Sequence, residues 1–468
     1  MLALILFIYF VSFADKPQTD TPALSERALE QRAKWNIEID ALDYPVSTVY
    51  LDSLRRLGVQ IHHTSRWFNG ATCEMSEPQV TQVQTLSFVT EVQLTRDNSS
   101  PIYGAVKRSA LPGGNRSSRS SGGRSWTDEQ LDLFNLRPLH EAGFEGQGIL
   151  MAICDGAFYN ANTMSCFRHE QELGHFDFTD DADDFYGSSG AHGMECLSTI
   201  SGIQDDFYGA ATRANYYLMR SEEMPSESPK EMDNLVAALE KADSLGVNVF
   251  SVSLGYAYFD NNTWTIRQED LNGKTYRCSR AATIAARKGM LVCVAAGNEG
   301  NKEWHTISVP ADADSILTVG AVDTDGVIGA FSSFGPSADG RIKPEVCAVG
   351  AQTTLINPNG TIVTSNGTSY ATPLIAGLAA SLWSALPDEN SMQIRERILQ
   401  SSNRYRNPDM QQYGYGIPDA WKAYTMALGV QNTEHSVQKT DTRKILHGDQ
   451  ILIVRFGHIY NLAGQRVQ

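Results

Sequence analysis

The chain has few cysteines, and they form no recognisable framework. There are seven in 468 residues, an odd number, and no two of them stand in a C-x-x-C pair. Neither a zinc site nor a disulfide framework is therefore indicated. Cys154 and Cys293 lie inside apolar runs and are expected to be small core residues. Cys166 and Cys278 would be able to pair in an oxidising compartment, a question that the sequence leaves open.

Basic charge is also scarce. The chain has 38 Lys and Arg against 54 Asp and Glu, a formal net charge of −16. Nucleic acid is excluded as a partner class, because phosphate binding needs a basic footprint. An acidic balance of this size suits a soluble extracellular protein.

The apolar run at the amino terminus, residues 2–11, is too short for a comfortable transmembrane helix. Ser12-Phe13-Ala14 follows it as a small-x-small cleavage site, so residues 1–14 are predicted to be a signal segment, which indicates export. No Lys or Arg precedes the run, which counts against this interpretation. The alternative takes residues 9–14 as the first β-strand of the next module, and the natural chain would then begin upstream of Met1.

Three short stretches supply an acid, a base and a nucleophile. In residues 148–156 an unbroken apolar run ends in Asp155 and a glycine, as expected of a buried parallel strand with a carboxylate at its carboxyl edge. In residues 190–196, His192 stands between glycines before a predicted helix. In residues 365–373, a Gly-Thr pair leads Ser369 into the first turn of a helix, where free N–H groups favour an oxyanion. Each stretch alone has a structural explanation, such as an N-cap for Ser369. A cysteine protease is disfavoured, because no cysteine stands in a comparable turn.

These stretches resemble the Asp, His and Ser motifs of the subtilisin-type serine proteases (subtilases, peptidase family S8). Two more stretches support the resemblance: residues 294–300 match the oxyanion-asparagine motif, and residues 252–255 match the substrate-binding strand. Five motifs in the family's order cover roughly residues 125–427. The chain is therefore identified as a member of this family, of the secreted type with a propeptide found in Bacteroidota.

The resemblance implies an endopeptidase mechanism. Asp155, His192 and Ser369 would be the catalytic triad, and Asn298 would stabilise the oxyanion together with the Ser369 backbone N–H. An extended peptide would bind between two segments by strand addition. The substrate-binding residues would be Ser253, Leu254, Gly255, Ala295, Ala296 and Gly297. The expected partners are a peptide or protein substrate and the chain's own propeptide, and the enzyme is expected to be a monomer without a membrane span in its mature form.

The chain departs from the family pattern at three positions near the site. Gly156 follows the acid where Ser or Thr is usual. Glu195 stands where a second His is common, and Tyr370 replaces a common Met. All four catalytic positions are present, so activity is expected, but substrate preference and neighbouring pKa values become open questions.

Apolar runs alternate with helical patterns between residues 148 and 322. Repeated βαβ units of this kind predict a parallel sheet covered by helices on both faces, which is the subtilisin-like three-layer α/β fold. A small α+β module precedes it and resembles a subtilase propeptide, which also favours the strand interpretation of residues 9–14. The predicted regions are a signal segment (1–14), the propeptide-like module (15–97), a Gly/Ser/Arg-rich linker with a maturation site (98–126), the catalytic domain (127–429), and a linker with a small β tail (430–468).

No cofactor is expected to be required. The acidic run Asp177, Asp180, Asp181, Asp183 and Asp184 would be able to hold calcium, as many relatives do, but its spacing matches no loop motif. The tail resembles the end of the sorting domains of secreted Bacteroidota proteins; the alternative is a small hairpin packed on the protease. A pseudo-protease that binds peptides without cutting remains the second hypothesis, and an esterase is weaker because no G-x-S-x-G elbow is present.

Overall fold

The computed structural model describes residues 6–16, 21–97, 125–179, 184–188, 190–223, 227–260, 264–429, 442–447, 450–455 and 458–460. The predicted linker 98–126 lies outside this set except for its last two residues, as do Asp180, Asp181 and Asp183 of the acidic run. No helix in the described ranges is both long enough and apolar enough to cross a membrane.

The amino-terminal module is a four-stranded antiparallel sheet with helices against it. The strand order is β2-β3-β1-β4, and Val11, Leu54 and Val83 meet in its core. Its elements are β1 (Phe7–Phe13), α1 (Glu26–Lys34), α2 (Thr48–Arg56), β2 (Gln60–Ser65), β3 (Gly70–Met75), α3 (Glu77–Gln84) and β4 (Val89–Arg96), with a 3-10 turn over Ala41–Asp43. The mixed α and β composition of the module is as the sequence predicted.

The strand interpretation of the amino terminus agrees with the structure. Phe7–Phe13 pairs with β3 on one side and β4 on the other, so it is a central strand of the module. Val11 is fully buried and Phe13 nearly so. A signal segment over residues 1–14 conflicts with this position, because cleavage after Ala14 would remove the middle of the sheet.

The second region begins at residue 125 and alternates strands with helices. Its elements are α4 (Asp128–Asp132), α5 (Arg137–Glu141), β5 (Leu150–Asp155), β6 (Glu172–Asp177), α6 (His192–Ser201), β7 (Ile203–Gln204), β8 (Phe207–Tyr208), β9 (Asn215–Arg220), α7 (Pro229–Leu245), β10 (Val249–Val252), α8 (Arg277–Arg287), β11 (Leu291–Ala295), β12 (Leu317–Val322), β13 (Val346–Val349), β14 (Thr353–Ile356), β15 (Ile362–Ser365), α9 (Thr368–Ala385), α10 (Ser391–Ser401) and α11 (Ala420–Ala427). Short 3-10 turns cover His169–Gln171 and Gln268–Asp270. In the tail, β16 (Thr442–His447), β17 (Gln450–Arg455) and β18 (His458–Tyr460) form a three-stranded sheet.

The main sheet has seven strands in the order β13-β12-β11-β10-β5-β9-β6, and every neighbouring pair is parallel. The predicted α/β fold is therefore confirmed. Strands β6 and β9, which follow β5 in the chain, lie on one side of β5 in the sheet. Strand β10 lies on the other side of β5, followed by β11, β12 and β13. The strand order reverses between β5 and β10, and in open α/β sheets a crevice forms there at the carboxyl edge.

Alternation along the strands explains why both faces are covered. In β5, Met151 and Ile153 belong to the core under α9, whereas Leu150, Ala152 and Cys154 belong to the core under α7 and α8. Successive side chains of a strand point to opposite faces, so a strand that is apolar throughout needs helices on both sides. Helix α9 is itself almost entirely buried, and its position under the centre of the sheet carries its first turn to the crevice.

The module packs on α7 through buried ion pairs. Arg66 donates to Asp243 at 2.6 Å and to the Glu240 carbonyl at 2.9 Å, and Ser65 Oγ donates to the Glu240 carboxylate at 2.5 Å. Arg32 donates to Asp243 at 2.6 Å. The arginines of this contact belong to the module and the carboxylates belong to the second region. Each region therefore buries and neutralises charged groups of the other.

Candidate active site

The crevice between β5 and β10 has a carboxylate on one side and a hydroxyl on the other. Asp155 is the last residue of β5, and Ser253 directly follows β10, where Val252 pairs with Cys154. Asp155 is 1% exposed, and its Oδ1 accepts a hydrogen bond from the Gly156 N–H at 2.8 Å. The parallel register places both groups at the same edge of the sheet.

His192 is the first residue of α6 and faces Asp155. Its Nδ1 lies 2.8 Å from Asp155 Oδ1 and 3.0 Å from Oδ2. An ionised carboxylate only accepts hydrogen bonds, so Nδ1 carries a proton, and Nε2 is the acceptor whenever the imidazole is neutral. Gly193 makes this approach possible, because a Cβ there would stand 2.7 Å from Asp155 Cβ and from the Ala157 carbonyl.

The environment of His192 favours its charged form. Burial lowers the pKa of the imidazole, but the charge and hydrogen bond of Asp155, together with Cys196, outweigh burial and hold the pKa well above its usual value. Asp155 therefore stabilises the protonated form of His192.

Ser369 is the second residue of α9, and it exchanges two hydrogen bonds with Ser253. Ser369 Oγ donates to the Ser253 carbonyl at 3.2 Å, and Ser253 Oγ donates to the Ser369 carbonyl at 2.7 Å. Ser369 is 8% exposed. Its own N–H lies in the first turn of the helix, where no carbonyl of the preceding turn exists to accept it.

Pro373 explains why the Ser369 carbonyl is open to Ser253. In an α-helix that carbonyl would accept the N–H of residue 373, but proline has none. The vacant acceptor is filled from outside the helix, by Ser253 Oγ and by Cys196 Sγ at 3.4 Å. Two neighbouring elements thereby fix the turn that carries Ser369.

Asn298 is oriented by the residue before Ser369. Its Oδ1 accepts from the Thr368 N–H at 2.9 Å and from Thr368 Oγ1 at 3.0 Å. Because both bonds go to the oxygen, the amide orientation is determined, and Nδ2 points to the remaining side. Within the described ranges no protein acceptor takes Nδ2, which leaves it for a ligand.

The six predicted substrate-binding residues differ in their backbone hydrogen bonds. Segments 253–255 and 295–297 leave neighbouring parallel strands, so they lie side by side as expected. Ala296 donates to Val319 and accepts from Ser308, and Gly297 donates to Thr368 Oγ1 and accepts from Ser333. The N–H groups of Ala296 and Gly297 are thus already engaged within the protein and are not available to pair with an added strand.

The other segment contains Leu254 and Gly255. Leu254 makes no backbone hydrogen bond with other described residues, although its side chain is 3% exposed and lies in the core. Gly255 packs so closely on Ser308 that a Cβ would stand 2.9 Å from Ser308 Cβ.

Two of the residues that depart from the family pattern touch each other. Tyr370 Oη donates to Glu195 Oε2 at 2.8 Å, and the ring of Tyr370 lies 5.5 Å from the imidazole of His192. Burial raises the pKa of both side chains; the bond from Tyr370 partly offsets this for Glu195, whereas the charge of Glu195 raises the pKa of Tyr370 further. The third, Gly156, packs against Glu222, where a Cβ would meet Glu222 Cβ at 3.2 Å.

Sequence reasoning missed Cys196 and Pro373. Cys196 follows His192 by four residues on α6, and its Sγ lies 4.0 Å from His192 Nδ1. Pro373 follows Ser369 by the same interval. The helical i, i+4 spacing was the available signal in both cases.

Two groups of side chains have the composition of metal ligands. Asp155, His192 and Cys196 bring one ligand atom each within 4.8 Å of one another, and so do Glu222, Glu227 and Glu231. In the acidic run, Asp177 forms an ion pair with the buried Arg220 and accepts the N–H of Thr179 at 2.9 Å. A guanidinium already neutralises this carboxylate, so it is not a free calcium ligand.

Comparison with known proteins identifies the two regions separately. The family model described as "Subtilase family" matches residues 146–416, more than half of the chain. A second model, "Peptidase S8 propeptide domain, Bacteroidota", matches residues 8–109 and so covers β1 from its second residue.

Similar proteins span most of the second region. Serine protease AprX of Bacillus subtilis is 27% identical over 307 residues, which cover 59% of this chain and 66% of AprX. Subtilisin NAT of Bacillus subtilis subsp. natto is 28% identical over 284 residues, 60% of this chain and 66% of that protein. Subtilisin DY of Bacillus licheniformis is 27% identical over 289 residues, 61% of this chain and 94% of that protein. The matched part thus spans just under two thirds of AprX and of subtilisin NAT.

Proposed function

The chain belongs to the subtilase family, and we propose that it is an exported serine endopeptidase made as a zymogen. The names of AprX and the subtilisins support a protease. The observation that carries the proposal is the hydrogen bond of His192 to Asp155 at the same sheet edge as the Ser253–Ser369 exchange. An acid, a base and a hydroxyl are the groups that acyl transfer needs.

In the proposed reaction Ser369 Oγ turns from the Ser253 carbonyl to His192 Nε2 and attacks the scissile carbonyl carbon. His192 takes the hydroxyl proton and gives it to the leaving amine, and an acyl-enzyme remains. Water then attacks the acyl carbon and gives a proton to His192, which passes it to Ser369 Oγ as the acyl–oxygen bond breaks, releasing the acid and free Ser369. Asp155 holds the imidazole in the tautomer with Nδ1–H and stabilises the imidazolium.

The oxyanion would lie between Asn298 Nδ2 and the Ser369 N–H. The orientation of the Asn298 amide and the position of Ser369 in the first helical turn support this role. The substrate would run along the main chain of Ser253, Leu254 and Gly255, with Ala295, Ala296 and Gly297 as the opposing wall. No metal takes part in these steps, and calcium as a stabilising ion stays a hypothesis.

We further propose that residues up to about 97 are removed on maturation within residues 98–126, and that residues 127–429 act as the mature protease. The basic, Gly- and Ser-rich composition of the linker supports cleavage there. Residues 430–468 would serve in sorting or pack on the enzyme, and the destination would be the medium or the cell surface.

A fluorophosphonate probe tests the proposal. Processed protein is incubated with the probe, and the adduct is mapped by mass spectrometry in the parent, in Ser369→Ala and in Ser381→Ala. Ser381 lies on the same helix, and its buried hydroxyl donates to the Ala210 carbonyl, so it is a matched control.

The expected result is labelling of Ser369 in the parent and in Ser381→Ala, and none in Ser369→Ala. Folded parent protein without its module that takes up no probe would contradict the enzyme hypothesis. The pseudo-protease would then be the better account.

A further inference from the structure

Glu195 and Tyr370 connect the helix of the base to the helix of the nucleophile. Glu195 lies on α6 three residues after His192, and Tyr370 lies on α9 directly after Ser369. Their hydrogen bond of 2.8 Å joins the two helices beside the reacting groups. A structural link alone would not require an acid at this place, since neutral side chains form the same bond.

Glu195 and His192 lie on the same side of α6. Residues three apart on a helix are neighbours, with Cβ atoms about 5–6 Å apart. Tyr370 contacts both, since its hydroxyl bonds Glu195 while its ring lies 5.5 Å from the imidazole. The charge of His192 in turn lowers the pKa of Glu195, against the effect of burial.

The other titratable groups around Glu195 are few. Asp155 on β5 and Cys196 on α6 face the same imidazole, and Tyr370 comes from α9. Strands β14 and β15, which pack beside this cluster, carry no titratable side chain. Tyr370 stays protonated, because burial and the charge of Glu195 raise its pKa, and it therefore remains the donor.

We propose that Glu195, held by Tyr370, is a positioning residue for His192. Its carboxylate is a second negative charge beside the imidazole, after that of Asp155. Because this charge stabilises the imidazolium, His192 stays protonated up to a higher pH than it would without Glu195. The consequence for turnover rests on the proposed function of His192 as the base. The electrostatic effect of Glu195 on His192 does not depend on that function, and it can be measured in a catalytically inactive variant.

The first measurement is the pKa of His192 by NMR with histidine-selective labelling, on the full chain carrying Ser369→Ala. Glu195→Gln is the test variant, because glutamine keeps an oxygen that accepts from Tyr370 and removes only the charge. The imidazolium loses a stabilising charge, so the pKa of His192 should fall by about 0.5–1 unit. Tyr370→Phe frees the carboxylate to turn away and should lower that pKa by a smaller amount.

A matched control is available on α10. Tyr405 Oη donates to Glu396 at 3.1 Å in an exposed pair, so Glu396→Gln removes the same charge from the same kind of bond. It should leave the pKa of His192 unchanged. Tyr370→Phe combined with Glu195→Gln should lower the pKa no further than Glu195→Gln alone, since Tyr370 acts through the carboxylate.

The second measurement is the pH profile of kcat/KM in processed enzyme, where the acid limb should move to lower pH by the same amount in Glu195→Gln. A His192 pKa equal to that of the parent, within the error of the titration, would overturn the proposal whether or not the parent is active. A shifted pKa in a parent that cleaves nothing would support this inference and contradict the proposed function instead.

Discussion

Ser253 and Ser369 hold each other through a reciprocal pair of hydrogen bonds, hydroxyl to carbonyl in both directions, at 2.7 and 3.2 Å. The shorter bond exists because Pro373 leaves the Ser369 carbonyl without its helical donor. The longer one holds Ser369 Oγ on the Ser253 side of the crevice. Ser253, at the start of the proposed substrate-binding segment, and Ser369, the proposed nucleophile, are thus positioned together.

Ser253→Ala should destabilise the fold and weaken activity. The buried Ser369 carbonyl would keep only the Cys196 thiol as a hydrogen-bond donor. A buried acceptor that loses its donor lowers the free energy of unfolding by about 1–3 kcal/mol. Urea unfolding of the full chain and kcat/KM of the processed form measure the two effects. Ser251→Ala, two residues earlier on β10, removes another buried hydroxyl and serves as the control; an equal effect on kcat/KM in both variants would contradict the link to Ser369.

Asn298→Asp should lower kcat by about 10²–10³ with little change in KM, a range known for this kind of donor in a subtilisin itself. The aspartate keeps the oxygen that orients on Thr368 and loses the Nδ2 donor. Steady-state kinetics on a peptide substrate measures the change, with circular dichroism as the check on folding. Activity close to that of the parent would exclude Asn298 from the oxyanion site.

The Asp155–His192 pair should make stability depend on pH. The folded-state pKa of His192 lies above its unfolded value, because Asp155 outweighs burial. The pair's contribution is therefore fully present below about pH 6.5 and is lost as pH rises through the higher folded pKa. Comparing the unfolding free energies of the parent and His192→Gln from about pH 5 to about pH 9 measures it. A difference that does not change with pH would show that the histidine is not charged in the folded state.

Arg66→Ala should weaken the attachment of the module to α7. The buried carboxylates of Glu240 and Asp243 would lose a cation, which lowers the free energy of unfolding by about 2–5 kcal/mol. Arg32 reduces this loss, because it keeps its own ion pair with Asp243. Urea unfolding of the Ser369→Ala chain gives the value. Arg55→Ala breaks an exposed pair with Asp52 and is expected to change stability very little.

Much of the fold was predictable from local patterns. The runs around Cys154 and Cys293 are apolar at every position, a pattern typical of strands that are buried on both faces. In the structure they are β5 and β11. Strand β3 forms a hairpin with the neighbouring β2, but its other partner, β1, is distant in sequence, and no local pattern shows that pairing. The ambiguity of residues 7–13 had the same origin, since a short apolar run is compatible with export and with a central strand.

The sequence by itself determined which residue types were available, namely an acid at a strand end, a histidine entering a helix and a serine after glycine and threonine, because these depend on local chain geometry. Only the tertiary structure decided how they are held. The Ser253–Ser369 exchange, the bond between Glu195 and Tyr370, and the engagement of the N–H groups of Ala296 and Gly297 join residues that are far apart in sequence. Such contacts depend on strand order and helix position, and no local pattern contains that information.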